Sequence, residues 1–351
     1  MEYILNDVLE IKNGKNQKAV ENSEGQYPIY GSGGVIGYAD DYICDADTVV
    51  IGRKGSINNP IYVSEPFWNV DTAFGLVARR EVLLPRYLFY FCKKFDFEKL
   101  NKTVTIPSLT KSDLLNIKIK LPDIDEQQLV VDKLIRIESV MEFRKQELNV
   151  LDNLIKARFV EMFGDSVTNP KGLPIVTLGE LSELITKGAS PSWQGFSYTD
   201  DSSQTIFVTS ENVREGYIDL SFPKYIEDGF NEKQKKSVLH RGDFLINIVG
   251  ASIGRAAQFN LDCKANMNQA AALVRVNDSR VRDKYLLTYL NSDRAQRMYD
   301  SMKSDTGRAN LSLQDISDLL ILLPNVEQQI EFEIFVKQVD KSKVIKLKNE
   351  S

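Results

Sequence analysis

Leu121-Pro122-Asp123-Ile124-Asp125-Glu126-Gln127-Gln128 begins a stretch that runs to Phe163 with no further proline and no glycine before Gly164. Within it Val130, Leu134, Ile137, Met141, Leu148, Leu151 and Ile155 keep an alternating spacing of four and three residues, with Arg144, Arg158 and Met162 at the remaining steps. That spacing puts one seam on a helix, laid against a partner helix. At its ordinary rise the helix would be roughly 60 Å long, longer than a domain helix needs to be. Asp123 with Glu126, and Asp125 with Gln128, fit capping boxes at its start, and Gly164 ends it.

The opening recurs as Leu323-Pro324-Asn325-Val326-Glu327-Gln328-Gln329, with Asn325 and Gln328 as another capping pair. Behind it Ile330, Ile334, Val339, Val344 and Leu347 form a less regular apolar face on a shorter helix. The chain therefore divides into residues 1–122, a first folded domain; 123–165, the long helix; 166–324, a second domain; and 325–351, the closing helix. The two domains repeat each other. Asn266 to Val274 parallels Asn69 to Val77 at an offset of 197, and Lys284 to Leu287 parallels Arg86 to Phe89 at 198. Ser312 to Asp315 parallels Thr110 to Asp113 at 202. One order of features with a slowly drifting offset is an internal duplication. Glycine-bounded, β-rich runs such as Thr48 to Ile51 and Phe244 to Asn247 mix with an aromatic-rich helix from Pro85 to Phe97. The expected fold class is α+β: two similar mixed α/β domains separated by long, coiled-coil-like helices.

The 351 residues are 42% hydrophobic and 26% charged, enough to bury two or three cores. No apolar run reaches 18 residues, and MEYILNDVLE lacks the blocks of a signal peptide, so a cytoplasmic location is expected. Cys44, Cys92 and Cys263 are far apart and read as free thiols, each a small hydrophobe in a core. The net charge of −5 speaks at first against nucleic acid. Counted by segment, residues 123–165 hold 6 Lys and Arg against 10 Asp and Glu, whereas residues 1–122 hold 15 of each. The acid excess thus lies mainly on the long helix, and charge neither establishes nor excludes a DNA partner.

Catalytic signatures are thin. His240 is the only histidine and precedes the turn Arg241-Gly242-Asp243. A GxGxxG reading from Gly31 fails at Ile36, and there is no phosphate-binding GxxxxGK[ST] loop. No metal site and no catalytic residue are expected. The turns instead hold side chains suited to base edges and phosphates. In the first half these are Lys15, Tyr30, Ser32, Gly33, Arg53, Lys54, Ser56, Asn58, Trp68 and Ser108. In the second half they are Lys187, Trp193, Ser210, Asn212, Asn247, Ser252, Arg255, Arg308 and Asn310. Hairpin glycines decorated with polar residues would look the same one at a time; two corresponding sets in a duplicated chain favour DNA contact.

Taken together, Tyr27-Pro28-Ile29-Tyr30-Gly31-Ser32-Gly33-Gly34, Ile51-Gly52-Arg53-Lys54-Gly55-Ser56, Ile106-Pro107-Ser108-Leu109-Thr110 and the repeated Leu-Pro…Glu-Gln-Gln helix start resemble the specificity subunit of type I restriction-modification systems. The resemblance covers nearly the whole chain. It implies two target-recognition domains, each reading half of a split DNA site, and two antiparallel helices as the spacer that sets the gap. It implies two methyltransferase subunits as partners, with restriction subunits joined through them. S-adenosylmethionine, ATP and Mg would be bound by those partners, and the specificity chain would hold no cofactor of its own. The closing helix is short for this pattern, and Val208 to Asn212 replaces the Gly31 to Gly34 turn, so the two halves should read different sequences. A scaffold whose domains bind only protein is the reading kept beside this one.

Overall fold

The computed structural model describes residues 1–101, 106–164, 168–302 and 310–348, with side chains as far as 343. It forms two compact units, Met1–Arg144 and Lys145–Ser351, whose boundary falls inside the long helix.

Each unit is built from the same parts. In the first, strands Leu9–Asn13, Ala73–Ala78, Thr48–Gly52 and Ile61–Val63 form a four-stranded antiparallel sheet in that spatial order. Beside it the hairpin Tyr27–Gly31/Gly34–Ala39 is joined in parallel by Trp68–Asn69. In the second unit Ser182–Lys187, Ala271–Val276, Phe244–Asn247 and Ala256–Gln258 repeat the first sheet. Thr205–Val208 pairs in parallel with Ala265–Met267, as Tyr27–Gly31 does with Trp68–Asn69. A two-stranded clasp closes each unit at the foot of its helix: Glu2–Ile4 with Lys118–Lys120, and Ile175–Thr177 with Leu320–Leu322. β-Branched and aromatic residues supply the buried faces; Val49, Val50 and Ile51 are all at most 1% exposed.

The long helix runs Ile124–Phe163 and the closing helix Val326–Lys348. Asp123 Oδ1 accepts from Glu126 N at 2.8 Å and Asn325 Oδ1 from Gln328 N at 2.9 Å, so these two residues cap the helices. The second expected box does not form, because Gln128 turns instead to Asp132 at 2.8 Å. Gly164 stops the long helix at φ +83°, a conformation that suits a residue without Cβ.

Register between the helix starts differs from the letter match. The side chain that is buried in each is Gln127 and Gln329, the first glutamine of one opening and the second of the other. Gln127 Nε2 donates to Val82 O and Pro122 O, and its Oε1 accepts from Leu84 N. Gln329 repeats the set with Arg280 O, Pro324 O and Arg282 N. Each amide thereby ties a helix start to the loop before the domain's own helix, with every polar atom satisfied.

Within the second unit the end of the long helix packs against the closing helix in antiparallel order, with Arg158 bonded to Glu331 at 2.7 Å and Asp152 to Lys343 at 2.6 Å. Phe159 and Phe163 enter the core there, against Tyr285 and Phe332. Of the seam expected from spacing, Leu148, Leu151 and Ile155 are half-buried and Val339 is buried. Leu134 is also half-buried, while Val130, Ile137, Met141, Ile330 and Ile334 lie at the surface. Besides Val339 the closing helix buries Phe332 and Val336, because the large rings of the domain core and of Phe159 turn that face inward. Val344 and Leu347 fall outside the described side chains. Of the cysteines, Cys44 and Cys92 are core residues, but Cys263 is exposed beside the loop acid Asp262.

Candidate nucleic-acid interface

Strand register brings the first unit's turns to one edge of its main sheet. Asn13 pairs with Phe74 and Gly52 with Ala73, so the chain leaves both strands there, towards Lys15 on one side and Arg53 on the other. The Arg53 turn is held by Arg53 N to Thr72 O at 2.8 Å, Gly55 N to Pro107 O at 3.0 Å and Leu109 N to Arg53 O at 2.9 Å. Ser108 bridges Lys54 in the process. The Ser32-Gly33 tip approaches the same turn, since a Cβ on Gly52 would stand 3.0 Å from Ser32 Cβ. Lys15, Gly33, Arg53, Lys54 and Ser56 are exposed there, with Ser32 and Ser108 half-buried. Lys15, Arg53 and Lys54 make no ion pair among the described residues, and the Arg53 guanidinium lies 5.8 Å from the Phe74 ring.

Three expected contact residues have structural tasks. Trp68 is 7% exposed and its Nε1 donates to Lys15 O at 3.0 Å, fixing the turn from inside. Tyr30 packs edge-on to Phe67 at 5.3 Å and is half-buried. Asn58 accepts from Phe97 N at 2.7 Å and donates to Asp96 at 3.1 Å, which ties the turn to the segment behind it. Aromatic rings placed for stacking on bases and aromatic rings placed in a small core read alike in sequence.

In the second unit the same edge carries Lys187, Asn247 and the turn through Ser252 to Arg255. Ser210, Asn212, Ser252 and Arg255 line one concavity of about 510 Å³. Arg214 and Lys224 share it, and neither was expected: the second unit has a long loop between Val208 and Tyr225 where the first has only the Ser32-Gly33 turn. Their charges are engaged: Lys224 with Glu211 at 2.9 Å, Arg214 with Asp219 at 3.4 Å. The Lys224 hydrogen bond holds the Glu211 carboxyl below its ordinary range, and the Ser221 backbone and hydroxyl do the same for Asp219. Arg255 and Lys187 are exposed and make no ion pair among the described residues.

Asn212 is 8% exposed and staples its loop, accepting from Thr209 N at 2.8 Å and donating to Asp219 O at 2.9 Å. Asn247 is fully buried. Trp193 is 90% exposed on its own short turn, Ser192–Gln194, and does not line the concavity. Asn310 is exposed and bridges Val249; Arg308 lies outside the described residues. His240 shapes its turn, its N–H donating to Asp243 Oδ2 at 2.7 Å. Among the described residues no group of His, Cys, Asp and Glu is placed to hold a metal, and no helix is long and apolar enough to cross a membrane.

Such an edge, with polar turns, close backbone and cations that lack carboxylates, suits phosphate and base-edge contact. Residues 1–153 and 170–351 both match the family described as type I restriction modification DNA specificity domain. The specificity subunit of the type I restriction enzyme EcoBI of Escherichia coli is 22% identical over 317 residues, 84% of this chain and 66% of that one. The chain thus spans just under two thirds of that relative. The MjaVIII specificity subunit of Methanocaldococcus jannaschii is 22% identical over 87% of this chain and 72% of its own. By fold the chain is similar to the S subunit of the type I restriction-modification system of M. genitalium, with TM-score 0.55 and 16% identity over 99% of this chain and 91% of that one.

Proposed function

The chain belongs to the family of type I restriction modification DNA specificity domains, and from that premise we propose that it is the DNA-reading, non-catalytic subunit of a type I restriction-modification enzyme. Each unit reads one half of a bipartite site. The observation that carries this is the recurrence, in two units of one topology, of an equivalent sheet edge where turns bearing Arg53 and Lys54, or Arg255, meet solvent without carboxylate partners. Different residues on one frame make two different readers.

The proposed partners are double-stranded DNA and two methyltransferase subunits, with restriction subunits joined through these; S-adenosylmethionine, ATP and Mg belong to the partners. Leu129, Val130, Ile137, Val140, Met141 and Phe143 support a protein docking on the long helix, since each is at least 39% exposed. A helix apolar on more than one side is ordinarily covered in its assembly. The same exposed face is what favours the scaffold reading. A gel shift of the chain with its methyltransferase subunits separates the two. Binding that depends on DNA sequence is expected; equal or absent binding at every sequence would leave only the scaffold.

A further inference from the structure

In each unit two turns that carry candidate reading groups meet at one sheet position, and the residue there differs. Gly52 pairs with Ala73 and Asn247 with Ala271, the first residues of equivalent strands. At Gly52 the turns touch directly: a Cβ would fall 2.4 Å from Ser56 O and 3.0 Å from Ser32 Cβ. No side chain fits without moving one turn. Glycines that follow confirm the frame, with Gly55 at φ +83° and Gly250 at φ +79°. The Arg53 place is therefore filled by buried Ile248, and Arg255 reaches the second unit's edge from two residues beyond the shared turn's buried isoleucine (Ile57 or Ile253).

At Asn247 a carboxamide fills the gap that glycine leaves closed in the first unit. Its side chain is 0% exposed. Nδ2 donates to Ser210 O at 2.9 Å, on one turn, and to Ser252 Oγ at 3.0 Å, on the other. The backbone completes the clamp, with Asn247 N bonded to Arg255 O and Gly254 N to Asn247 O, both at 2.9 Å. Ser210, Ser252 and Arg255 then line one concavity. Asn247 Oδ1 is buried with no hydrogen-bond partner, so packing alone is not what this side chain optimises.

We propose that this junction is the positioning element of each recognition domain, and that Asn247 is a specificity-determining residue of the second: it never touches DNA but sets the separation of the two turns that do. The inference rests on the DNA-reading function proposed above. Base readout by paired hydrogen bonds tolerates errors of only about half an ångström in the reading groups. A turn freed from its clamp keeps its charge, and so its phosphate attraction, but loses its discrimination. Gly52 performs the same task in the first unit by permitting contact.

The test uses the full chain assembled with its methyltransferase subunits on a pool of DNA with randomised sequence, reading which bases become methylated. Asn247→Ala removes the unpaired oxygen but also leaves Ser210 O and Ser252 Oγ without their donor, so a modestly lowered melting temperature is expected. It should lower base preference at least tenfold at one or more positions of a single half-site, with the other half-site unchanged and total DNA binding within about threefold. Ser252→Ala removes one arm of the clamp with little packing change, and should relax the same half-site more weakly; it keeps the question open to measurement if the first variant folds poorly. A merely structural residue would lower yield or affinity without altering base preference in one half. Unchanged preferences in both variants, or equal relaxation of both half-sites, would overturn the proposal. Wild-type complex without any sequence preference would remove the DNA-reading function itself, a different result from a selective wild type with an equally selective variant.

Discussion

At the scale of single residues Arg255 stands out because the two cations that share its concavity, Arg214 and Lys224, face carboxylates within 3.4 Å, whereas Arg255, like Arg53 in the first unit, is exposed and makes no ion pair among the described residues. Replacing either with Ala is expected to weaken binding by about 1–3 kcal/mol if its contact to guanine is bidentate, and to relax one half-site alone. Quantitative binding to half-site variants measures this; equal loss at both half-sites would contradict the assignment. Gln127 and Gln329 make a different prediction. Gln329→Ala leaves a buried N–H and two buried carbonyls without their partner and should destabilise the fold by about 1–3 kcal/mol, read as a lowered midpoint in urea. Asp47 gives a pH dependence. The Tyr62 hydroxyl, and then Arg80, hold its carboxyl below the usual range. A depressed carboxylate stabilises the fold above its unfolded pKa, near 3.9, and that stability is lost as pH falls through the folded value. Tyr62→Phe should therefore melt below wild type at pH 7, and the gap should narrow towards pH 3. A gap that stays constant with pH would show that the hydrogen bond is not its origin. None of these partners was legible from spacing: Tyr62 and Asp47 meet only across strands, and the buried glutamine differs from the one that the repeated letters align.

The long helix was legible as an element from its unbroken 4,3 spacing, its Asp123 cap and its glycine stop. Which of its faces is buried was not. Spacing marks every apolar row alike, while burial depends on what the tertiary fold brings opposite. Phe159, 3% exposed, lies off the expected seam, yet it contacts Tyr285, Phe163 and Phe332 with ring centroids 5.0–5.4 Å apart. Phe159→Ala is expected to destabilise the second unit by about 3–5 kcal/mol, whereas Met141→Ala, at a residue 66% exposed, should change the isolated chain's melting by little. Thermal melts of the two variants decide between a seam defined by spacing and one defined by packing.

At the scale of the whole molecule the duplication makes a modular prediction. Each unit holds its own sheets, its own clasp and its own buried glutamine, so recognition should be separable. Exchanging residues 173–322 for the corresponding segment of another family member should change one half of the modified sequence and leave the other half as it was. Mapping methylated bases before and after the exchange tests this, and a site altered in both halves would show that the units do not read independently. The sequence by itself determined the repeat, the two helices, the central strands Thr48–Gly52 and Phe244–Asn247 and the glycine turns that follow them, because these rest on periodicity and on glycine, both local properties of the chain. Only the tertiary structure decided which turn residues face solvent. Trp68, Asn212 and Asn247 are buried as props while Arg53, Lys54 and Arg255 remain outside. A polar side chain beside a turn satisfies its hydrogen bonds equally well with distant backbone or with a ligand, and that choice depends on neighbours hundreds of atoms away along the chain.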